Sequence, residues 1–207
     1  MDYPNSEIEQ EYWNKNQIVA GVDEAGRGPL AGPVVAAAVI LNSDSIIVGL
    51  NDSKKLTDKS RRKIYDLIYK NALDISIGFV HSEEIDEINI LQASVKAMRI
   101  AVEGLRVVPN HLLIDGNYFS NYDIPFTTIV KGDESSISIA AASIVAKVTR
   151  DDWMINNAHK LYPEYQFDKH KGYPTELHFN RIKKFGVSPI HRKTFLKSQI
   201  ESQTSLF

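Results

Sequence analysis

The sequence predicts an α/β fold, a sheet flanked by helices, with a helical and basic carboxy-terminal region. Three strand-like segments come early in the chain, and helical and strand-like segments mix after them, an order typical of an α/β sandwich. Charge is also divided along the chain. Residues 1–139 carry 13 basic and 20 acidic side chains, a balance of −7, whereas residues 140–207 carry 11 and 6, a balance of +5.

Five segments have the length and composition of strands: residues 18–22, 34–41, 74–80, 111–115 and 126–130. The first two are short runs rich in Val and Ile, which predicts buried strands, and the glycine and proline cluster of residues 26–33 separates them. Residues 74–80 alternate apolar residues such as Ile75 and Ile77 with polar or small ones, which predicts a strand with one exposed face. The pairing of the fifth strand stays open, because residues 116–125 are few for a helical crossover.

Four segments have helical periodicity: residues 57–72, 82–105, 135–152 and 175–185. Thr57 is a suitable amino-terminal cap, and Gly186 is a suitable carboxy-terminal stop. We expect an interruption near Asn89. The third helix is rich in Ala and Ser, which favours close packing against a sheet.

Composition excludes several classes of function. The chain has no cysteine, which rules out thiol nucleophiles, thiolate metal sites and disulfides. Its longest apolar run, residues 34–41, is far shorter than the roughly 18 residues of a membrane span. Residues 1–13 are acidic and polar, unlike a signal peptide. We therefore expect a cytoplasmic protein without a membrane partner.

A basic stretch begins at Lys169 and ends at Lys197, with eight Lys and Arg residues against the single acid Glu176. Four aromatic residues lie within it, at Tyr173, Phe179, Phe185 and Phe195. A solvated face and a nucleic-acid surface both stay open as explanations. We assign no chemistry to the three histidines of this region, His170, His178 and His191.

Acidic residues follow three of the predicted strands. Asp23 and Glu24 follow the first, Asp115 closes the fourth, and Asp133 comes after the fifth. Strands that end in acids place carboxylates at one rim of a sheet, where open α/β sheets hold ligands. Adjacent residues on a regular strand point to opposite faces, so Asp23 and Glu24 share a site only if the backbone bends at the turn that follows them.

Several converging carboxylates cannot all stay ionised unless a cation compensates them. Ligation by oxygen alone favours a hard ion, and Mg²⁺ or Mn²⁺ fits better than Zn²⁺. Two such ions activate a water and stabilise the leaving oxygen of a phosphodiester. Turn formation or helix capping is the alternative role for each acid taken singly, whereas the four together favour a nuclease.

Residues 23–34, DEAGRGPLAGPV, resemble the opening signature of the ribonuclease HII family. Further segments agree with the family in the same order: DSKKL at 52–56, IDG at 114–116, KGD at 131–133, IAAASIVAKVTRD at 139–151, HKGY at 170–173 and HR at 191–192. The resemblance covers about residues 18–196.

The resemblance implies a ribonuclease H-like fold with a mixed five-stranded sheet flanked by helices. It implies an endonuclease that cuts the RNA strand of RNA/DNA hybrids and incises duplex DNA 5′ to a single embedded ribonucleotide, leaving a 3′-hydroxyl and a 5′-phosphate. A catalytic core would span residues 1–152, a basic helical region at 153–198 would complete the substrate cleft, and 199–207 would form a tail. We expect a monomer.

On the matching positions, the resemblance makes four carboxylates catalytic and metal-holding, namely those of Asp23, Glu24, Asp115 and Asp133. We hypothesise that one ion, held by the first three, activates the water, while a second near Asp23 and Asp133 stabilises the departing 3′-oxygen. Which acid bridges the two ions stays open.

Substrate recognition is expected at the Gly26, Arg27 and Gly28 turn. Glycines let the backbone approach a sugar, where the 2′-hydroxyl distinguishes RNA from DNA, and Arg27 suits a phosphate. A tight turn with an exposed arginine is the alternative. Tyr173 resembles the family's junction tyrosine, which packs on the sugar at the DNA side of the ribonucleotide, and the alternative is a packed surface aromatic.

Three further cations are expected phosphate contacts, namely Lys54, Lys147 and Arg150. Lys147 and Asp151 also have the spacing of a helical ion pair. The chain ends in QTSLF, which resembles the short peptide by which bacterial replication and repair enzymes dock on the sliding clamp through Gln203, Leu206 and Phe207. A frayed terminus is the alternative.

Two rival functions stay open. A metal-dependent phosphatase or exonuclease on the same fold would share the acids but lack the ribose reader, and cleavage of all-DNA duplex would indicate it. A catalytically silent nucleic-acid-binding module would fail to cut any hybrid in Mn²⁺.

Overall fold

The computed structural model describes residues 4–44, 47, 49–50, 53 and 56–196 of the 207-residue chain. Its strands are β1 (Val19–Ala25), β2 (Val34–Leu41), β3 (Ala72–Val80), β4 (His111–Asp115) and β5 (Phe126–Ile129). Its α-helices are α1 (Glu7–Trp13), α2 (Asp58–Asn71), α3 (Ser82–Glu103), α4 (Ile137–Trp153), α5 (His159–Leu161), α6 (Phe167–His170) and α7 (Glu176–Phe185). Short 3₁₀ turns lie at Gly132–Glu134 and Pro163–Tyr165, and a π-helical turn at Met154–Ala158 continues α4.

The five strands form one mixed sheet in the order β3-β2-β1-β4-β5. β2 is antiparallel to β1 and β3, whereas β4 is parallel to β1 and β5. Because β1, β4 and β5 are parallel, their carboxyl ends meet at one edge of the sheet. The predicted mixed five-stranded sheet flanked by helices, with a helical region at the carboxy-terminal side, is confirmed. The fifth strand joins the sheet by a parallel connection that contains no helix.

Helices cover both faces of the sheet. α3 packs on one face, where Val22 and Ala36 of the strands meet Val95 and Ala101 of the helix. α2 and α4 pack on the other face. β1 and α4 meet backbone to backbone, because a Cβ on Gly21 would lie 2.1 Å from the carbonyl carbon of Ser138. This close approach explains why α4 is rich in small residues.

The local signals at the helix ends are confirmed. The hydroxyl of Thr57 accepts a hydrogen bond from the backbone N–H of Ser60 at the start of α2. Asn89 has a φ of 66° and breaks α3 as expected. Gly186 has a φ of 78° and ends α7.

The expectation of an exposed face on β3 is wrong. Asp74 is buried and accepts hydrogen bonds from the backbone N–H groups of Arg106 and Val107. Gly78 lies directly on α3, where a Cβ would come within 2.0 Å of the carbonyl oxygen of Ala97. Asp74 and Gly78 therefore lie on the α3 side of the sheet, whereas Ile75 and Ile77 pack in the layer of α2 and α4.

The amino-terminal residues form a helix that the sequence did not predict. Glu9 of α1 is buried and accepts hydrogen bonds from the hydroxyl of Ser136 and the backbone N–H of Ser138. A carboxylate at these groups suits the positive end of α4 and attaches α1 to it. Among the described residues, no helix is both long enough and apolar enough to cross a membrane.

Candidate active site

A cavity of about 390 Å³ opens at the carboxyl ends of β1 and β4. It is lined by Asp23, Glu24, Ala25, Gly26, Arg27, Gly28, Ser53, Asp115, Ser143, Lys147 and Tyr173. The cavity therefore brings together three of the four expected carboxylates, the glycine turn that follows β1 and the tyrosine from the carboxy-terminal region.

Two of the carboxylates belong to β1, which continues past the point where the sequence predicted its end. Asp23 and Glu24 pair in regular register with Ala37 and Ala36 of β2. Asp23 shares the α4 face of the sheet with Gly21, whereas Glu24 lines a pocket with Ser94 and Met98 on the α3 face. The expected bend is therefore not needed, because the two side chains reach the cavity from opposite faces at the edge of the sheet.

The other two carboxylates lie at the end of β4 and in the turn after β5, the two strands that run parallel to β1. Asp115 is the last residue of β4, and its Oδ1 accepts a hydrogen bond from the backbone N–H of Gly132 at 2.7 Å. Asp133 is buried in the turn between β5 and α4. It does not line the cavity, but it is close enough for its charge to act on Asp23.

The electrostatics of the site follow from burying these acids together. Burial raises the pKa of Asp23 well above its ordinary value, and the negative charges of the other three carboxylates raise it further. The hydrogen bond from the backbone N–H of Glu24 to Asp23 opposes this rise in pKa. Burial also raises the pKa of Glu24, against the effect of the Arg27 guanidinium, whose NH1 lies 3.3 Å from Glu24 Oε1. Additional positive charge near these carboxylates would therefore stabilise their ionised forms.

A divalent cation fits this donor set. The cluster offers carboxylate oxygens, which hard ions such as Mg²⁺ and Mn²⁺ prefer. In the described part of the chain, no three acidic or histidine side chains are already arranged to hold one ion. Three of the acids make hydrogen bonds or ion pairs elsewhere, Asp23 with Glu24 N, Glu24 with Arg27, and Asp115 with Gly132 N. A bound ion would therefore compete with these existing contacts.

The turn after β1 is held in a conformation that requires glycine at its first position. Gly26 has a φ of +100°, and a Cβ there would lie 2.2 Å from Nε of Arg150. Gly28 is different, because a Cβ there would meet no atom within 4 Å. The side chain of Arg27 between them is 53% exposed. This turn thus presents one open glycine and one exposed cation beside the acids.

Comparison with known proteins identifies the family. The sequence profile described as Ribonuclease HII matches residues 20–198. The chain belongs to the ribonuclease HII family. Ribonuclease HII of Bacteroides thetaiotaomicron is 57% identical over 185 residues, covering 89% of this chain and 92% of the relative. Ribonuclease HII of Acetivibrio thermocellus is 54% identical over 189 residues, covering 91% and 73%.

Solved structures share the fold of this chain. Ribonuclease H2 of Pyrococcus horikoshii superposes with a TM-score of 0.70 at 30% identity, covering 86% of this chain and 93% of that one. The ribonuclease HII of Archaeoglobus fulgidus, solved as a complex with PCNA, gives 0.70 at 24% identity, covering 85% and 94%. A ribonuclease HIII solved in complex with Mn²⁺ gives 0.62 at 18% identity, covering 82% and 63%, a likeness of fold.

The family assignment gives the class of enzyme. Members of the ribonuclease HII family are endonucleolytic hydrolases of RNA in RNA/DNA hybrids, and this chain is a ribonuclease H of that kind. The resemblance derived from the motifs and the ribonuclease H-like fold are both confirmed.

The remaining site residues expected from the sequence lie in different environments. Lys147 lines the cavity, where its Nζ lies 5.1 Å from the ring centroid of Tyr173 and 2.9 Å from Oδ1 of Asp151. Arg150 is fully buried and donates hydrogen bonds to the carbonyl oxygens of residues 31, 33 and 171. The structure thus argues against a phosphate contact by Arg150 and gives it a structural role. Lys54 and the tail with Gln203, Leu206 and Phe207 lie outside the described residues.

Two serines of the cavity were not predicted from the sequence. Ser143 of α4 donates a hydrogen bond from its hydroxyl to that of Ser53 at 2.8 Å, and both line the cavity. Arg61 fixes this wall, since its Nε donates to the carbonyl oxygen of Ser53. Both serines lie in segments that resemble the ribonuclease HII family, and this was the only signal in the sequence.

Arg192 was also missed as a part of the site. It is fully buried, and its guanidinium donates hydrogen bonds to the carbonyl oxygens of Gly26, Arg27 and Gly32. The turn beside the acids is therefore held by a side chain from the far end of the ribonuclease HII sequence.

Proposed function

We propose that this member of the ribonuclease HII family cleaves the RNA strand of RNA/DNA hybrids and incises duplex DNA 5′ to single ribonucleotides, leaving a 3′-hydroxyl and a 5′-phosphate. The observation that carries the proposal is the single cavity that contains three carboxylates, the Gly26–Gly28 turn and Tyr173. The acids fit phosphodiester hydrolysis, whereas the turn and the tyrosine fit recognition of a sugar. A phosphatase or a general exonuclease would not need the latter.

The carboxylates of Asp23, Glu24, Asp115 and Asp133 would hold two divalent ions, Mg²⁺ or Mn²⁺. Such ions, when bound, supply an activated water and charge stabilisation for the leaving oxygen. The raised pKa of Asp23 supports this role, because burial and the neighbouring acids make an uncompensated charge there unfavourable. No nucleophilic side chain is required of the protein.

The Gly26–Gly28 turn would read the ribose. The open space above Gly28 lets a sugar approach the backbone, and backbone groups can hydrogen-bond its 2′-hydroxyl. The exposed guanidinium of Arg27 would hold an adjacent phosphate. Arg192 keeps the carbonyl groups of this turn occupied, which preserves its shape.

Tyr173 would mark the junction between ribonucleotide and DNA. Tyr173 lines the same cavity as the acids, and its ring centroid lies 5.1 Å from Nζ of Lys147 and 5.5 Å from Cζ of Arg150. A ring in this position can pack on the next sugar while its hydroxyl reaches the 2′-hydroxyl. Lys147 would contact a phosphate, and the basic region at 153–198 would extend the cleft. A monomeric state and a cytoplasmic location stay predictions.

Cleavage of a duplex DNA that carries one ribonucleotide tests the proposal, assayed by gel in Mg²⁺, in Mn²⁺ and in chelator. We expect one product ending in a 3′-hydroxyl on the 5′ side of the ribonucleotide, formed only with metal. An all-DNA duplex of the same sequence is the matched control and should stay intact. Cleavage of that control, or activity in chelator, would overturn the proposal.

The tail carries a separate proposal, that Gln203, Leu206 and Phe207 dock on a sliding clamp. The A. fulgidus enzyme was solved with PCNA, and a short peptide with two apolar residues suits a preformed pocket. Deleting residues 203–207 should abolish capture by an immobilised bacterial clamp and leave hybrid cleavage unchanged. If the clamp still captures the shortened protein, the proposal that the tail docks on it is wrong.

A further inference from the structure

Three histidines of the carboxy-terminal region form a buried cluster next to the Tyr173 turn. His178 is completely buried, and His170 and His191 nearly so. The rings of His170 and His178 stack with centroids 4.2 Å apart, and Nε2 of His178 lies 3.0 Å from Nε2 of His191. Phe167 packs against all three rings. Such a site disfavours charge, and burial lowers the pKa of each ring.

The backbone partners determine which nitrogen of each neutral ring carries its proton. The backbone N–H of Ser188 lies 2.8 Å from Nδ1 of His191 and can only donate, so Nδ1 is the acceptor and the proton is on Nε2. His191 Nε2–H must then donate to Nε2 of His178. The proton of His178 is therefore on Nδ1, where it donates to the carbonyl oxygen of Tyr173 at 3.0 Å.

His170 holds the residue before Tyr173 in the same way. The backbone N–H of Gly172 donates to Nδ1 of His170 at 3.2 Å, and His170 Nε2–H donates to the carbonyl oxygen of Tyr165 at 2.9 Å. Neutral imidazoles therefore bind the backbone on both sides of the Tyr173 Cα. His178 binds the carbonyl oxygen of Tyr173, and His170 binds the N–H of Gly172. The backbone before Tyr173 is also joined to the segment that follows the Gly26–Gly28 turn, since the N–H of Leu30 donates to the carbonyl oxygen of Gly172.

We propose that the chain of hydrogen bonds from Ser188 through His191 and His178 positions Tyr173, and so sets the ratio of activity on single ribonucleotides to activity on long hybrids. His178 is a positioning residue here, because it acts through Tyr173. The inference rests on the proposed role of Tyr173 at the junction. It adds that the buried histidines determine how well that role is performed.

The test compares kcat/KM on a duplex with one ribonucleotide with kcat/KM on a long RNA/DNA hybrid, for His178→Phe, His178→Asn and Tyr173→Ala. Phe keeps a ring but loses the donor to Tyr173, so the ratio should fall, on the order of tenfold, as expected for a displaced recognition group. Asn can place an N–H near the position of Nδ1 and should restore most of the ratio. Ile68→Ala, a cavity in the distant α2 layer, controls for lost stability.

A double variant separates positioning from general destabilisation. If His178 acts through Tyr173, adding His178→Phe to Tyr173→Ala should change the ratio no further. Equal losses on both substrates for His178→Phe, or a ratio for His178→Asn as low as that for Tyr173→Ala, would overturn the inference. Normal selectivity of Tyr173→Ala would overturn the junction role and this inference with it. Selective loss in Tyr173→Ala with none in His178→Phe would overturn the inference alone.

A spectroscopic measurement tests this chain of hydrogen bonds without relying on an activity assay. Long-range ¹H–¹⁵N NMR of histidine-labelled protein at neutral pH should show His178 as the Nδ1–H tautomer and His170 and His191 as Nε2–H tautomers. A Nε2–H tautomer at His178 would overturn the assignment of a donor to Tyr173.

Discussion

The guanidinium NH2 of Arg192 donates a hydrogen bond to the carbonyl oxygen of Gly26 at 2.7 Å. The same side chain also binds the carbonyl oxygens of Arg27 and Gly32. A residue close to the carboxy-terminal end of the described chain therefore shapes the turn beside the acids. Because the bonds join segments that are distant in sequence, the turn keeps its shape only in the fully folded protein.

Arg192→Lys should lower the free energy of unfolding by about 3 kcal/mol, because one ammonium cannot satisfy the carbonyl groups that a guanidinium binds and each buried orphan costs about 1–3 kcal/mol. It should also raise KM for hybrids. Urea denaturation and steady-state kinetics check both effects. Lys70→Ala, an exposed cation at the end of α2 and outside the basic region, should change neither. Equal stability of Arg192→Lys and the wild type would contradict a structural role for the guanidinium.

The two glycines of the turn should respond differently to alanine. Gly26→Ala places a Cβ 2.2 Å from Arg150 Nε at a left-handed φ, so it should destabilise the fold by several kcal/mol, on the order of 2–4. Gly28→Ala should keep stability within about 0.5 kcal/mol, because the added methyl meets open space. It should nevertheless raise KM severalfold if a sugar approaches that backbone. Unchanged kinetics of a folded Gly28→Ala protein would argue against this approach.

Asp23→Asn should abolish cleavage and raise stability in chelator. The raised pKa of Asp23 means that its ionised form is less favourable in the folded than in the unfolded chain, so stability is lost as pH rises through the folded pKa. Removing the charge should therefore raise Tm by a few degrees at pH 7, corresponding to about 1 kcal/mol. Mg²⁺ should raise Tm of the wild type more than that of the variant. Glu164→Gln, an exposed acid, should alter neither cleavage nor Tm, and full cleavage by Asp23→Asn would refute the role of this acid.

The histidine cluster should make the fold sensitive to mild acid. Burial lowers the pKa of His178 to about 3 and that of His191 to about 4, from an ordinary value of 6.5. Between pH 6.5 and 4 the unfolded chain therefore binds protons that the folded rings do not, and stability falls as pH falls. Each ring contributes up to about 1.4 kcal/mol per pH unit, and the contribution is fully present above pH 6.5.

Urea denaturation of the wild type and of His178→Asn at several pH values from 7 to 5 checks this dependence. The difference between the two proteins isolates His178 from the other titrating groups. We expect the variant to lose less stability than the wild type on acidification. Parallel curves for the two proteins would show that His178 is not held neutral.

Local patterns predicted much of the fold because short-range physics determines them. The cap at Thr57, the break at Asn89 and the stop at Gly186 all depend on backbone bonds or dihedral angles within a few residues. The faces of β3 were assigned wrongly because a partner outside the segment decides which face is buried. Gly78 packs on α3 and Asp74 binds backbone groups of a later loop, and alternation within the strand contains neither fact.

For the candidate site too, some features could be predicted from the sequence and others depend on the tertiary structure. The sequence by itself determined that acids follow three of the strands, that every metal donor must be oxygen or imidazole, and that the chain resembles the ribonuclease HII family. The structure showed that these three strands are parallel. Only the tertiary structure decided the roles of the cations. Lys147 and Arg150 are one helical turn apart on α4, yet one lines the cavity and the other is buried. The physical reason is that burial of Arg150 depends on carbonyl groups of residues 31, 33 and 171, which come together only when distant segments pack.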